Sequence, residues 1–221
     1  MSSATAPGCE LRTRRQAIRH LASAAFAGVG FSALPLTPAW AGAQIEEQLS
    51  HAVRTALSAA VSGAAPPEPV LVTHTDQQAH AQWLAAMDPV LARHQRHPVE
   101  RQEFLQTLWY EARRAGLSLS LVLGLVQVES VFRKHAVSSA GAMGYMQVMP
   151  FWARSIGDGD ASRLFHMQTN LRFGCVILRH YLDRERGDLF LGLGRYNGSR
   201  GQAVYPDAVL AAQRRWLHAV D

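Results

Sequence analysis

The sequence predicts a mainly helical protein, and three observations carry that prediction. Apolar residues recur at three- and four-residue spacing through most of the chain. Residues that start and stop helices flank those stretches. Alternating apolar and polar runs, which a half-buried strand needs, are scarce, and leave room for at most a small sheet or hairpin near Val131–Met149.

The first 41 residues read as a secretion signal rather than as part of the fold. Thr13-Arg14-Arg15-Gln16-Ala17-Ile18-Arg19 precedes an apolar stretch from Leu21 to Leu36, and Pro38-Ala39-Trp40-Ala41-Gly42-Ala43 follows. A positive end, an apolar middle and small residues in alternation give the order of an export signal, with cleavage after Ala41 or Ala43. The apolar stretch is rich in Ala and Gly and falls short of the roughly 20 strongly apolar residues a membrane span needs. The arginine pair resembles a twin-arginine signal, although Ala17 stands where a Phe is usual. Cys9 precedes the apolar stretch, which excludes a lipoprotein signal.

Residues 44–97 read as a helical N-terminal extension. Ile45, Leu49, Val53, Leu57 and Val61 recur four apart, a helical stripe over Gln44–Val61. Ser62 to Pro69 is a breaker-rich linker containing Pro66, Pro67 and Pro69. A second helix is expected from Asp76 to about His94, carrying Trp83, Leu84, Met87 and Leu91. From Pro98 the apolar pattern becomes denser. Pro98 suits a first helical turn and Gly116 a helix end. Leu117–Ser130 is a strongly apolar helix opened by Ser118, and Ser138–Met149 is Gly-rich and reads as loop. Pro150–Ile156, Gln168–Arg186, Asp188–Tyr196 and Tyr205–Leu217 complete the expected helices.

Charge and cysteine usage narrow the function classes. The net charge is +5, but residues 1–41 hold four arginines against Glu10, so +2 remains beyond them. A nucleic-acid-binding protein would keep its positive charge in the folded part. Two cysteines give no disulfide framework, and Cys175, among Phe173, Val176, Ile177 and Leu178, reads as a buried inert thiol. Asp158-Gly159-Asp160 begins like a calcium loop, but Arg163 occupies the sixth position and Thr169 the twelfth, so a polar turn is expected. His94 and His97 lack a helical carboxylate partner and read as surface residues. Trp152 is core or a sugar platform. No cofactor and no metal are called for.

Glu129 is the candidate for chemistry. It ends a helix whose preceding residues are Leu121, Val122, Leu125, Val126 and Val128. Apolar neighbours and a helix C-terminus both disfavour a carboxylate charge. A carboxyl that keeps its proton is what glycosidic cleavage requires. By itself this pattern also fits an exposed helix end.

Its surroundings decide. Glu129-Ser130-Val131-Phe132 is followed by Ser138-Ser139-Ala140-Gly141-Ala142-Met143-Gly144-Tyr145-Met146-Gln147-Val148-Met149-Pro150, then Asn170-Leu171 with Gly174, Tyr181-Leu182 and Tyr196-Asn197-Gly198. From about Pro98 to the C-terminus, this series resembles the soluble lytic transglycosylases, whose lysozyme-like fold is similar to goose-type lysozyme. The resemblance implies a catalytic domain over 98–221 with Glu129 as acid and base. It implies substrate binding by Ser138, by Met146, Gln147 and Met149 in the cleft wall, and by Tyr196 and Asn197 near the carboxyl. Asn170, Gly174 and Leu182 read as packing and capping. Three departures stand out: Tyr145 for the usual Leu, Arg195 for a small residue, and Gly198-Ser199 for Ala-Gly.

Ordinary glycosidases need two carboxyl groups. After Glu129 the next acids are Asp158 and Asp160, neither in a matched position. An intramolecular nucleophile removes the need for a second carboxylate. The resemblance implies that reaction: the muramic acid 6-hydroxyl attacks its own anomeric carbon and leaves a 1,6-anhydro end. The expectation is therefore a peptidoglycan lytic transglycosylase, exported to the periplasm or cell envelope, monomeric, acting on glycan strands, with a place in an envelope secretion or division complex open. The alternatives are a hydrolytic muramidase on the same fold and a secretion-associated wall-binding factor.

Overall fold

The computed structural model describes residues 44–62 and 74–217. The expected leader, its cleavage sites and most of the Pro-rich linker lie outside them. The described residues fall in one compact unit, Pro38–Asp221. Among them are eight α-helices: α1 (His51–Val61), α2 (His74–Leu91), α3 (Pro98–Arg114), α4 (Leu119–Ser130), α5 (Pro150–Ile156), α6 (Met167–Arg184), α7 (Leu189–Asn197) and α8 (Val204–Leu217). A 3-10 turn covers Ala161–Phe165. The expected sheet or hairpin reduces to two isolated bridges, Val137 with Met143 and Met143 with Val148. The mainly α prediction therefore holds. No helix among the described residues is long and apolar enough to cross a membrane.

Local chemistry explains most boundaries. The Ser118 hydroxyl accepts from the Leu121 N–H at 3.3 Å and opens α4. Pro98 and Pro150 sit in the first turns of α3 and α5. Asp188 caps α7 by accepting from the Leu191 N–H at 2.9 Å. The stripe read over Gln44–Val61 is helical only from His51, because Ser50 caps there and accepts from the Val53 N–H. Residues 44–50 carry no regular secondary structure instead, with Ile45 62% exposed.

The core lies around α4, which is buried along most of its length. It packs closely on α8: a β-carbon at Gly124 would come within 2.7 Å of the Gln213 backbone nitrogen. Below it, Glu111 of α3 accepts from Arg172 of α6 at 2.9 Å and 3.0 Å and from Arg114 at 3.2 Å. Arg114 also donates to the Ala60 carbonyl at the end of α1, which ties the extension to the core. Cys175 is fully buried, and burial pushes its thiol pKa up, as an inert packing residue requires.

Candidate active site

Glu129 is 2% exposed, one residue before the end of α4. The chain leaves that helix abruptly. Val131 and Phe132 both have left-handed backbones, at φ 51° and 60°. For side-chain-bearing residues, and a β-branched one above all, this is strained. The surroundings hold it. The Ser130 hydroxyl donates to the Tyr145 carbonyl at 2.7 Å, and the Phe132 ring packs against Phe104 and Trp216.

The tyrosine hydroxyl of Tyr205, in the first turn of α8, donates to Glu129 Oε1 at 2.5 Å. Burial first, and then the Glu129 charge, push the Tyr205 pKa well above the ordinary phenol value, so this phenol stays protonated and donates. From the sequence, Tyr205 reads only as a helix start. Nothing local marks it, because the contact spans 76 residues.

Tyr196 is fully buried, and its hydroxyl donates to the Met146 carbonyl at 2.7 Å. Its pKa is also raised, by burial and then by Glu129. Met146 itself is core: its side chain fills the space that a β-carbon on Gly174 would need. The Gln147 amide braces the loop, donating to the Ala136 and Gly144 carbonyls at 3.1 Å and 2.9 Å. Asn170 pins the same loop, accepting from the Met146 N–H and donating to the Met143 and Leu164 carbonyls, each at 2.8 Å. Gly144 permits this packing. It has φ 76°, and a β-carbon there would lie 2.3 Å from the Asn170 amide. Half-buried Ser138 closes the turn, its hydroxyl accepting from the Ala142 N–H at 2.9 Å. Asn197 is buried at the end of α7. Met149 is half-buried at the start of α5.

Thus Glu129, Tyr196, Tyr205 and the Met146 carbonyl converge. Gln147 and the Met146 side chain shape the loop from behind, and the contacts of Ser138 are within its own turn. Asp158 and Asp160 are exposed and engaged in a polar turn: Asp158 pairs with Arg163, and Asp160 caps the 3-10 turn through the Ser162 N–H at 2.9 Å. A cavity of about 1270 Å³ lies elsewhere, between α1, the 156–169 stretch and Phe173, with no part of Glu129 in its lining.

Two departures noted in the sequence have partners earlier in the chain. The Tyr145 hydroxyl accepts from Gln95 at 3.0 Å and donates to Glu100 at 3.2 Å. Arg195 binds Glu185 and donates to Glu47 at 3.1 Å.

A helical domain with a buried carboxyl, held by a tyrosine at the end of an apolar helix, has the parts of a one-carboxyl acid–base site. Residues 107–205 match the family model described as the Transglycosylase SLT domain. The match takes in Glu129 and ends at Tyr205. The transglycosylase of Enterobacteria phage PRD1 is 36% identical over 101 residues, 46% of this chain and 37% of that protein. The membrane-bound lytic murein transglycosylase C of Mannheimia succiniciproducens is 44% identical over 88 residues, 36% of this chain and 25% of that protein. Its counterpart in Histophilus somni is 42% identical over 131 residues, 52% of this chain and 36% of that protein. The chain therefore spans between a quarter and little more than a third of the length of these relatives. Among solved structures, the lytic transglycosylase Slt from Pseudomonas aeruginosa is similar over 70% of this chain and 29% of that one, with 21% identity and a TM-score of 0.41.

Proposed function

We propose that the protein is a peptidoglycan lytic transglycosylase of the cell envelope, reached by export through its N-terminal leader. It cleaves the β-1,4 bond between N-acetylmuramic acid and N-acetylglucosamine without water. The observation that carries this is the buried Glu129 carboxyl, bonded by Tyr205, inside a matched transglycosylase domain. Glu129 gives its proton to the glycosidic oxygen as the bond to the anomeric carbon breaks. The muramic acid 6-hydroxyl then attacks that carbon and Glu129 takes the hydroxyl proton, which closes a 1,6-anhydro ring and restores the acid. The tethered hydroxyl supplies the high effective concentration that an external water would lack. Asp158 and Asp160, the next acids in the chain, are occupied in a turn and a cap. Substrate contacts fall to half-buried Ser138 and Met149 and to Asn197, on a cleft wall that Met146, Gln147 and Tyr196 hold from behind. The relatives named membrane-bound lytic murein transglycosylases support the substrate and the envelope setting.

Digestion of purified wall in heavy-oxygen water tests the reaction. New sugar ends should carry no label and should each be one water lighter than a reducing end. Labelled reducing ends would establish a hydrolytic muramidase instead, and binding without cleavage a wall-binding factor.

A further inference from the structure

Residues 44–50, which precede α1, put one side chain deep into the domain. Gln44 is 4% exposed. Its carboxamide oxygen accepts from the Trp152 indole N–H at 2.9 Å and, more weakly, from the Met149 backbone N–H at 3.4 Å. These donors sit on α5 and the residue before it, next to the loop whose Met146 carbonyl holds Tyr196. Tyr196 in turn feels the Glu129 charge. The seat therefore adjoins the loop that packs beside the candidate acid, through Met146 to Tyr196 and Tyr145 to Ser130.

The seat is only half satisfied. The Gln44 nitrogen is buried and finds no hydrogen-bond partner among the described residues. A buried unpaired donor costs about 1–3 kcal/mol, which offsets much of what its oxygen gains. The segment is held from outside by Glu47, which binds Arg184 and Arg195, and by Leu49 against the core. Arg195 is one of the residues that departs from the family pattern, so that departure has a use here.

We infer that residues 44–50 form a self-blocking strap: the Gln44 carboxamide fills a seat, made by the Trp152 and Met149 N–H groups, that an acetamido group of the glycan substrate takes when the strap is displaced. A carboxamide and an acetamido group present the same carbonyl to the same donors. The inference rests on the proposed glycan substrate, because it needs acetamido sugars. A strap in place nine-tenths of the time lowers apparent affinity about tenfold.

The test uses the full chain, the N-acetylglucosamine trimer and its deacetylated counterpart, with binding measured by calorimetry. The Trp152 indole N–H signal is followed by NMR and assigned with Trp152→Phe. Gln44→Ala should bind the acetylated trimer about tenfold more tightly than the natural chain and leave the deacetylated trimer unchanged. Its Trp152 signal should shift, and should return toward the natural position as the acetylated trimer is added. Glu47→Gln, which loosens the strap without touching the seat, should change affinity in the same direction by less. Unchanged or weaker binding in both variants, at an unaltered unfolding temperature, overturns the strap, as does a Trp152 signal indifferent to saturating trimer. Wall cleavage separates this from the proposed function. Cleavage with no gain on Gln44→Ala sinks the strap alone, and a responsive Trp152 without cleavage sinks the enzyme reading alone.

Discussion

Every non-glycine residue with a left-handed backbone among the described residues, namely Val131, Phe132, Gln147 and Arg186, lies within the matched segment 107–205. The described part of residues 44–97 has none. The buried carboxyl groups divide in the same way. Glu111 with Arg172 and Glu129 with Tyr205 are both within the matched segment. The preceding stretch attaches to it through half-buried Glu47, on Arg184 and Arg195, and through two neutral buried contacts, Gln44 with Trp152 and Gln95 with Tyr145. Strain and buried charge are kept only where surrounding structure over-determines them. The matched segment is therefore the part built to hold chemistry, and the stretch before it is built to cover and brace that part.

The largest effect should come from Glu129→Gln. The amide keeps the size and can still accept from Tyr205, but it cannot exchange the proton. Wall cleavage should fall by about 10²–10⁴-fold with the unfolding temperature nearly unchanged. Activity within tenfold of the natural chain would show that the chemistry lies elsewhere. Next is Glu111→Ala, which leaves Arg172 buried without its carboxylate partner. Loss of one member of a buried pair costs about 3–5 kcal/mol, a fall on the order of 10 °C in unfolding temperature. A fall of only a degree or two would mean that the matched segment does not depend on its buried charges.

Tyr205→Phe should be milder. It deletes one hydrogen bond to the carboxyl and keeps the ring in the core. A bond to a charged group is worth about 1.5–3 kcal/mol, so the rate should drop by about 10–100-fold. The lost donor makes the ionised carboxyl less favourable, so the alkaline limb of the pH–rate profile, where the acid loses its proton, should move to higher pH. A rate loss with an unmoved profile would give Tyr205 a packing role only.

The comparison also explains what the sequence made legible. Helices from Pro98 onward fall within a residue or two of expectation, because their start signals are local: Ser118, Pro150 and Asp188 act within one turn. Glu129 was found because its neighbours in the chain are its signature. Tyr205 was missed because its partner is 76 residues away. Residues 44–50 were misread for a related reason. Ile45 and Leu49 continue the four-residue spacing, but the Ser50 cap ends the helix, and Gln44 goes to a seat 108 residues along the chain. Spacing reports which faces are apolar; it does not report which backbone a distant donor will capture. The resemblance puts Met146 and Gln147 in the cleft wall, which their side chains brace from behind through packing and the loop.

The smallest expected effect tests the strain itself. Val131 caps α4 with φ 51° and ψ 42°, and its side chain is 46% exposed. Replacing it with Gly removes little packing and lets the backbone adopt the left-handed form without a steric penalty. Two terms oppose each other. Relief of the β-branched residue's strain is worth about 1–3 kcal/mol, while Gly adds freedom to the unfolded chain worth about 0.4–1 kcal/mol. The balance favours the variant by about 1 kcal/mol, or roughly 2–4 °C in unfolding temperature for a chain of this size. The variant should cleave more slowly if the strained exit is what holds Glu129 against Tyr205, because a more mobile Val131 would blur that 2.5 Å contact. Calorimetry and wall digestion on the same preparation decide it. A variant less stable than the natural chain would show that the left-handed exit carries no strain, and that the contrast between the two regions rests on buried charge alone.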